Sequence, residues 1–99
     1  MKLEQWDEIC LSFQEFFTNL GITEITDQYA SFTSHNGDVL THFRIKSDGR
    51  LSASMPLHGV DGKIDHVEFD NVLNIVRTWG KEINYEYQVP KEILRRRSD

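Results

Sequence analysis

The sequence has a single cysteine, Cys10, so no disulfide can form within the chain. It has no apolar run approaching membrane-spanning length. Its first residues lack the basic, apolar and small-residue regions of a secretory leader. No internal repeat, low-complexity tract or linker interrupts it. These absences lead to the expectation of a soluble, cytoplasmic protein with no membrane attachment. Residues 1–99 read as a single domain. Positive charge is also scarce, with 11 Lys and Arg against 16 Asp and Glu and a formal net charge of −5. An acidic surface as a whole repels nucleic acid and anionic membranes.

What is present is a globular composition, 38% hydrophobic and 27% charged. Charge is unevenly placed. Residues 91–99 hold Lys91, Arg95, Arg96 and Arg97 against Glu92 and Asp99, a net of +2 that leaves −7 on the rest. This basic tail suits a helix end, where cations complement the dipole.

The chain opens on an amphipathic pattern. Leu3, Trp6, Cys10, Phe13, Phe17 and Leu20 step by three and four, with Ile9 and Phe16 widening the stripe. That spacing predicts a helix, with Gly21 in the left-handed cap position. The middle is punctuated by Asn36-Gly37, Asp48-Gly49 and Asp61-Gly62. These dipeptides favour tight turns, and the runs between them are rich in β-branched and aromatic residues, as in an antiparallel meander. A two-residue turn at Asn36-Gly37 would pair Thr41 with Phe32 and Phe43 with Ala30. A three-residue loop, Ser47-Asp48-Gly49, pairs Ile45 with Leu51 and Phe43 with Ala53, whereas a one-residue slip buries serines. A fourth strand is expected over 64–69. Asp70 would then cap a second helix with Val72, Leu73, Val76, Trp79 and Ile83 on its apolar face. Tyr85, Tyr87 and Val89 alternate as a fifth strand, and Pro90 suits the start of a short C-terminal helix. The expectation is an α+β fold: N-terminal helix, a meander of about four strands, second helix, fifth strand and short C-terminal helix, with the helices on one face of the sheet.

The stretch DGKIDHVEF, residues 61–69, resembles the second half of an EF-hand calcium loop. Aligning Gly62 with that family's loop glycine puts Glu68 at the last ligand position. It also puts Leu57 and Gly59 at the first and third, which need oxygen ligands. Calcium is therefore not expected, and Asp61-Gly62 reads instead as the third hairpin turn. The histidines give no metal site. His42 faces Ser54, His35 sits at a turn, and His58 with His66 across the third hairpin would supply only two ligands. Cys10 lies on the apolar stripe, where a thiol packs. No catalytic residue, metal or cofactor is assigned, and the chain reads as non-catalytic.

The same register turns Tyr29, Leu40, His42 and Arg44 to the far side of the meander, with Tyr29 expected opposite Arg44 and Asp27 opposite Lys46. This mixed aromatic and basic face carries the functional expectation, a small adaptor-like module that binds a protein partner or its own copy as a homodimer. The alternative is a nucleic acid or phosphorylated ligand held by Arg44, Lys46, Arg50 and the tail residues Arg95, Arg96 and Arg97. The net charge opposes it.

Overall fold

The computed structural model describes residues 1–35, 37–55 and 58–98, with only the backbone at 55, 58 and 96–98. A short 3-10 turn, Leu3–Gln5, leads into α1 (Trp6–Phe16). Ile9, Phe13 and Phe16 are its buried residues, so the centre of the stripe lies nearer Ile9 and Phe16 than Cys10. Phe17 and Leu20 follow in the turn after the helix and are equally buried. The left-handed residue there is Asn19 (φ 64), not Gly21. Asparagine tolerates that conformation, which frees Gly21 to begin a strand.

That strand, β1 (Gly21–Ile25), was not foreseen from the sequence. It joins β2 (Tyr29–Ser34), β3 (His42–Lys46), β4 (Arg50–Met55) and β5 (His58–Lys63) in a five-stranded antiparallel sheet in sequence order. A second sheet holds β6 (His66–Asp70), β7 (Ile75–Trp79) and β8 (Asn84–Gln88). α2 (Lys91–Ser98) follows Pro90. The architecture is thus mixed helix and antiparallel sheet, with eight strands in two sheets among the described residues.

Four expectations are corrected. The second helix is a hairpin. The Asp70 carboxylate does accept the first N–H groups, those of Val72 and Leu73 at 3.0 Å each, but it closes a turn. Asn74 (φ 58) then reverses the chain. Val76 and Thr78 are buried while Val72 is 87% exposed, so a two-residue period prevails over the helical one. Secondly, Asp61-Gly62 is no turn. Both lie within β5, with Asp61 opposite Ser52 and Gly62 opposite Leu51. A Cβ on Gly62 would come within 2.6 Å of Ile83 Cδ1, so the glycine makes room for a side chain from the β7–β8 connection. The strand expected over 64–69 is β6, in the other sheet. Thirdly, β2 and β3 pair two residues away from expectation. Phe32 faces Phe43 and Ala30 faces Ile45, because β2 ends at Ser34 and β3 begins only at His42; the Asp38 N–H donates to the His35 carbonyl at 3.1 Å, as a turn at Asn36-Gly37 requires, but Asn36 itself lies outside the described residues. A slip of two preserves every face. The next loop is as expected, pairing Ile45 with Leu51 and Phe43 with Ala53, with Gly49 at φ 100.

Fourthly, the helices do not cover one face of one sheet. α1 and the turn after it pack against both. Phe17 stacks on Phe32 of the large sheet (4.2 Å between centroids) and meets Tyr87 of the small sheet (6.1 Å). Phe16 packs on Phe69 of the small sheet at 5.6 Å. Phe43 and Tyr87 close the gap between the sheets at 4.8 Å. Each large side chain buried this way contributes about 1.5–3 kcal/mol. The inner faces of both sheets are committed to this core, which leaves the outer face of each to solvent or to a partner.

Candidate binding face

Alternation along the large sheet fixes what its outer face presents. With Phe43 and Ile45 turned inward, His42, Arg44 and Lys46 turn outward, and the register carries each across the sheet. One row holds Ile22, Thr33, His42, Ser54 and Gly59. The next holds Glu24, Ser31, Arg44, Ser52 and Asp61. A third pairs Tyr29 with Lys46 and, beyond the Ser47–Gly49 loop, Arg50 with Lys63.

Arg44 sits at the middle of this face between two serines, Ser31 and Ser52, small enough to let its side chain lie across the strands. Its guanidinium carbon stands 4.4 Å from the centroid of the Tyr29 ring. The expected direct pairing of these two residues is corrected: Tyr29 faces Lys46, Arg44 faces Ser31, and the contact is diagonal. Arg44 Nε is buried and has no hydrogen-bond acceptor among the described residues. A buried donor without an acceptor costs about 1–3 kcal/mol. His42, two residues along β3, lies 3.2 Å from Thr33 Oγ1 through Nδ1. Burial chiefly, and then the Arg44 charge, push its pKa below the ordinary histidine value, which favours the neutral ring.

Two shallow depressions, of about 380 and 270 Å³, open on this face and share Arg44 and Lys46. Arg50 lines the second, with its Nε 3.2 Å from Asp48 Oδ2. The backbone N–H of Arg50, and then its charge, hold the Asp48 carboxyl below the usual range.

The other candidates separate. Leu40 is 70% exposed but lies in the connection before β3, not on the strand. Six positions separate it from Lys46 and the Tyr29 row, about 20 Å at ~3.3 Å per residue. Asp27, expected beside Lys46, lies in the β1–β2 turn. Arg95 is exposed on α2 and lines neither depression. The Arg96 and Arg97 side chains lie outside the described residues. His58 and His66 share no hairpin, being in different sheets. Among the described residues no group of three or more His, Cys, Asp or Glu could hold a metal ion. Cys10 is half-buried, and burial followed by the charges of Asp7 and Asp27 pushes its thiol pKa up. That suppresses the reactive thiolate.

Two face residues escaped sequence reasoning. Ile22 is 60% exposed in the row of His42. Its signal was the run Ile22-Thr23-Glu24-Ile25, β-branched at all but Glu24, a strand pattern hidden by assigning Gly21 to a helix cap. Lys63 was hidden by the supposed turn at Asp61-Gly62.

The outer face of the small sheet differs in chemistry. Arg77 lies between Asp70 (3.2 Å) and, at 3.8 Å each, Glu68 and Glu86. His66 stacks on Trp79 with centroids 5.1 Å apart and planes 4° from parallel. The cation here is already answered by carboxylates, and Trp79 is covered by a neighbour. Among the described residues no helix is long and apolar enough to cross a membrane. No family model matches this chain, and no curated protein or solved structure matches it.

Proposed function

We propose that the chain is a small non-catalytic module that binds a protein partner, its own copy included, through the outer face of the five-stranded sheet. The observation that carries this reading is the Tyr29–Arg44 pair on that face, the guanidinium lying over the ring. Tyrosine and arginine dominate the energetics of protein interfaces because each joins a large contact area to directional polar groups. Small side chains, Ser31 and Ser52, flank Arg44, and the exposed Ile22 adds apolar surface in the His42 row. The test is a Tyr29→Ala, Arg44→Ala double variant. It keeps its far-ultraviolet circular dichroism spectrum but loses self-association in analytical ultracentrifugation, or partner capture in pull-downs. Undiminished association by the variant sinks the reading.

A second reading has its own support, since the shared depressions bring Arg44, Lys46 and Arg50 together. It takes the face as a site for a nucleic acid or a phosphorylated ligand. Steep weakening with salt distinguishes nucleic acid from an apolar contact.

A further inference from the structure

The row at the turn end of the outer face bears on the partner's chemistry. Arg50 stands directly opposite Lys63. Lys46 lies one step beyond the Ile45–Leu51 pair, beside Arg50 across the turn. Three cations therefore occupy adjacent positions on β3, β4 and β5, in a chain whose net charge is −5. Like charges directly opposite destabilise a sheet, so the folded chain gains nothing from the arrangement by itself. The nearby carboxylates answer only part of it. Asp48 is engaged by Arg50, and Asp61 lies one row in, opposite Ser52. Lys46, Lys63 and Arg44 make no ion pair with a described carboxylate. At the end of the row Tyr29 adds an aromatic ring beside Lys46, and Arg44 lies over that ring.

We infer that this row docks an acidic segment of the partner protein, a run of aspartate or glutamate lying across β3, β4 and β5. The inference rests on the outer-face reading and supplies its chemistry. Strands lie about 4.8 Å apart, so the three cations span roughly 10 Å, a length that an extended segment of three to four residues covers. Carboxylates along it would answer Lys46 and Lys63 and share Arg50 with Asp48. Complementary charge of this kind sets the partner and the encounter rate more than the final affinity. Outside the C-terminal helix the rest of the chain is acidic and disfavours such a segment, and the Arg95→Glu arm below tests that helix.

The test is fluorescence anisotropy at low ionic strength with fluorescein-labelled decaglutamate, and in a second arm with labelled oligouridine. The expected result is decaglutamate binding that weakens with salt, falls about tenfold or more in a Lys46→Glu, Arg50→Glu variant, and is unchanged in Arg95→Glu. Absence of decaglutamate binding, equal binding by the charge-reversed variant, or tighter binding of oligouridine overturns the inference. Those outcomes leave the outer-face reading intact provided that the Tyr29→Ala, Arg44→Ala variant still loses association. If that variant associates normally, both fall.

Discussion

Replacing Tyr87 by phenylalanine removes one buried oxygen at the joint between the two sheets. Tyr87 is 0% exposed on β8, its ring against Phe43 and Phe17. Its hydroxyl lies 2.6 Å from Thr41 Oγ1, which lies 3.2 Å from the Ser54 carbonyl. Either hydroxyl can donate in the Tyr87–Thr41 bond, which joins the small sheet to the large one. Loss of one such bond, with the ring left in place, costs about 0.5–1.5 kcal/mol at neutral pH. The alkaline behaviour is more diagnostic. Burial, with a smaller contribution from Tyr85 and against the Thr41 bond, raises the Tyr87 pKa from the ordinary 10.0 to about 12. A raised folded-state pKa means that the protonated phenol is the form the fold accepts. Its contribution is complete below about pH 10 and is lost as pH rises to about 12, because only the unfolded chain ionises in that window. One pKa unit is worth about 1.4 kcal/mol, so at about pH 11 the parent has given up roughly what its hydrogen bond contributes. The Tyr87→Phe variant has no such loss. Urea unfolding followed by the fluorescence of Trp6 and Trp79 reads both proteins at neutral pH and at about pH 9 and 11. The parent is the more stable at neutral pH, and the gap closes at about pH 11 and inverts above it. A gap that stays constant across the series would mean that the hydroxyl is solvated in the folded chain, and the proposed joint between the sheets would be wrong.

Phe43→Ala costs about 3–5 kcal/mol, since a fully buried ring leaves a cavity. Arg44→Ala, on the face of β3 opposite the core, changes stability by less than about 1 kcal/mol in the same urea assay. The reverse ranking would invert the faces of β3. Gly21→Ala lowers stability by about 1–3 kcal/mol in a thermal melt. Its Cβ would lie 2.5 Å from the Thr33 carbonyl oxygen and 2.7 Å from the Phe32 ring. A neutral result there would show that β1 is not held against β2 in the described register.

The faces of the large sheet were legible because apolar residues alternate cleanly at 30 and 32, 43 and 45, and 51 and 53. The Ser47–Gly49 loop was legible for the same reason, since other loop lengths waste the apolar face. The β2–β3 register was not. Shifting it by two residues keeps every side chain on its face, so hydrophobic pattern is blind to the error, and only the length of the 35–41 connection decides. Residues 70–79 failed differently. Val72, Leu73, Val76 and Trp79 match helical spacing, and the exposure of Val72 and Leu73 at a hairpin tip leaves no trace in that pattern. Asp61-Gly62 has turn composition, yet Gly62 is small because Ile83 packs against it, a cause that lies 21 residues away. Of the candidate face, Tyr29 and Arg44 were found as neighbours although their pairing was misplaced. His42 was found opposite Ser54 as expected. Leu40 was grouped with them only because the strand was drawn too long at its start.

The outer face of the large sheet as the binding surface is tested most directly by position-specific crosslinking. A photoreactive p-benzoylphenylalanine is placed at position 29 on that face, or at position 86 on the outer face of the small sheet, and each protein is irradiated in its native cell. Glu86 is exposed and lies on the opposite outer face, so it is a matched control. Higher-mass adducts from position 29 and none from position 86 are the predicted result. Adducts from position 86 with none from position 29 would place the partner on the wrong sheet and contradict the account.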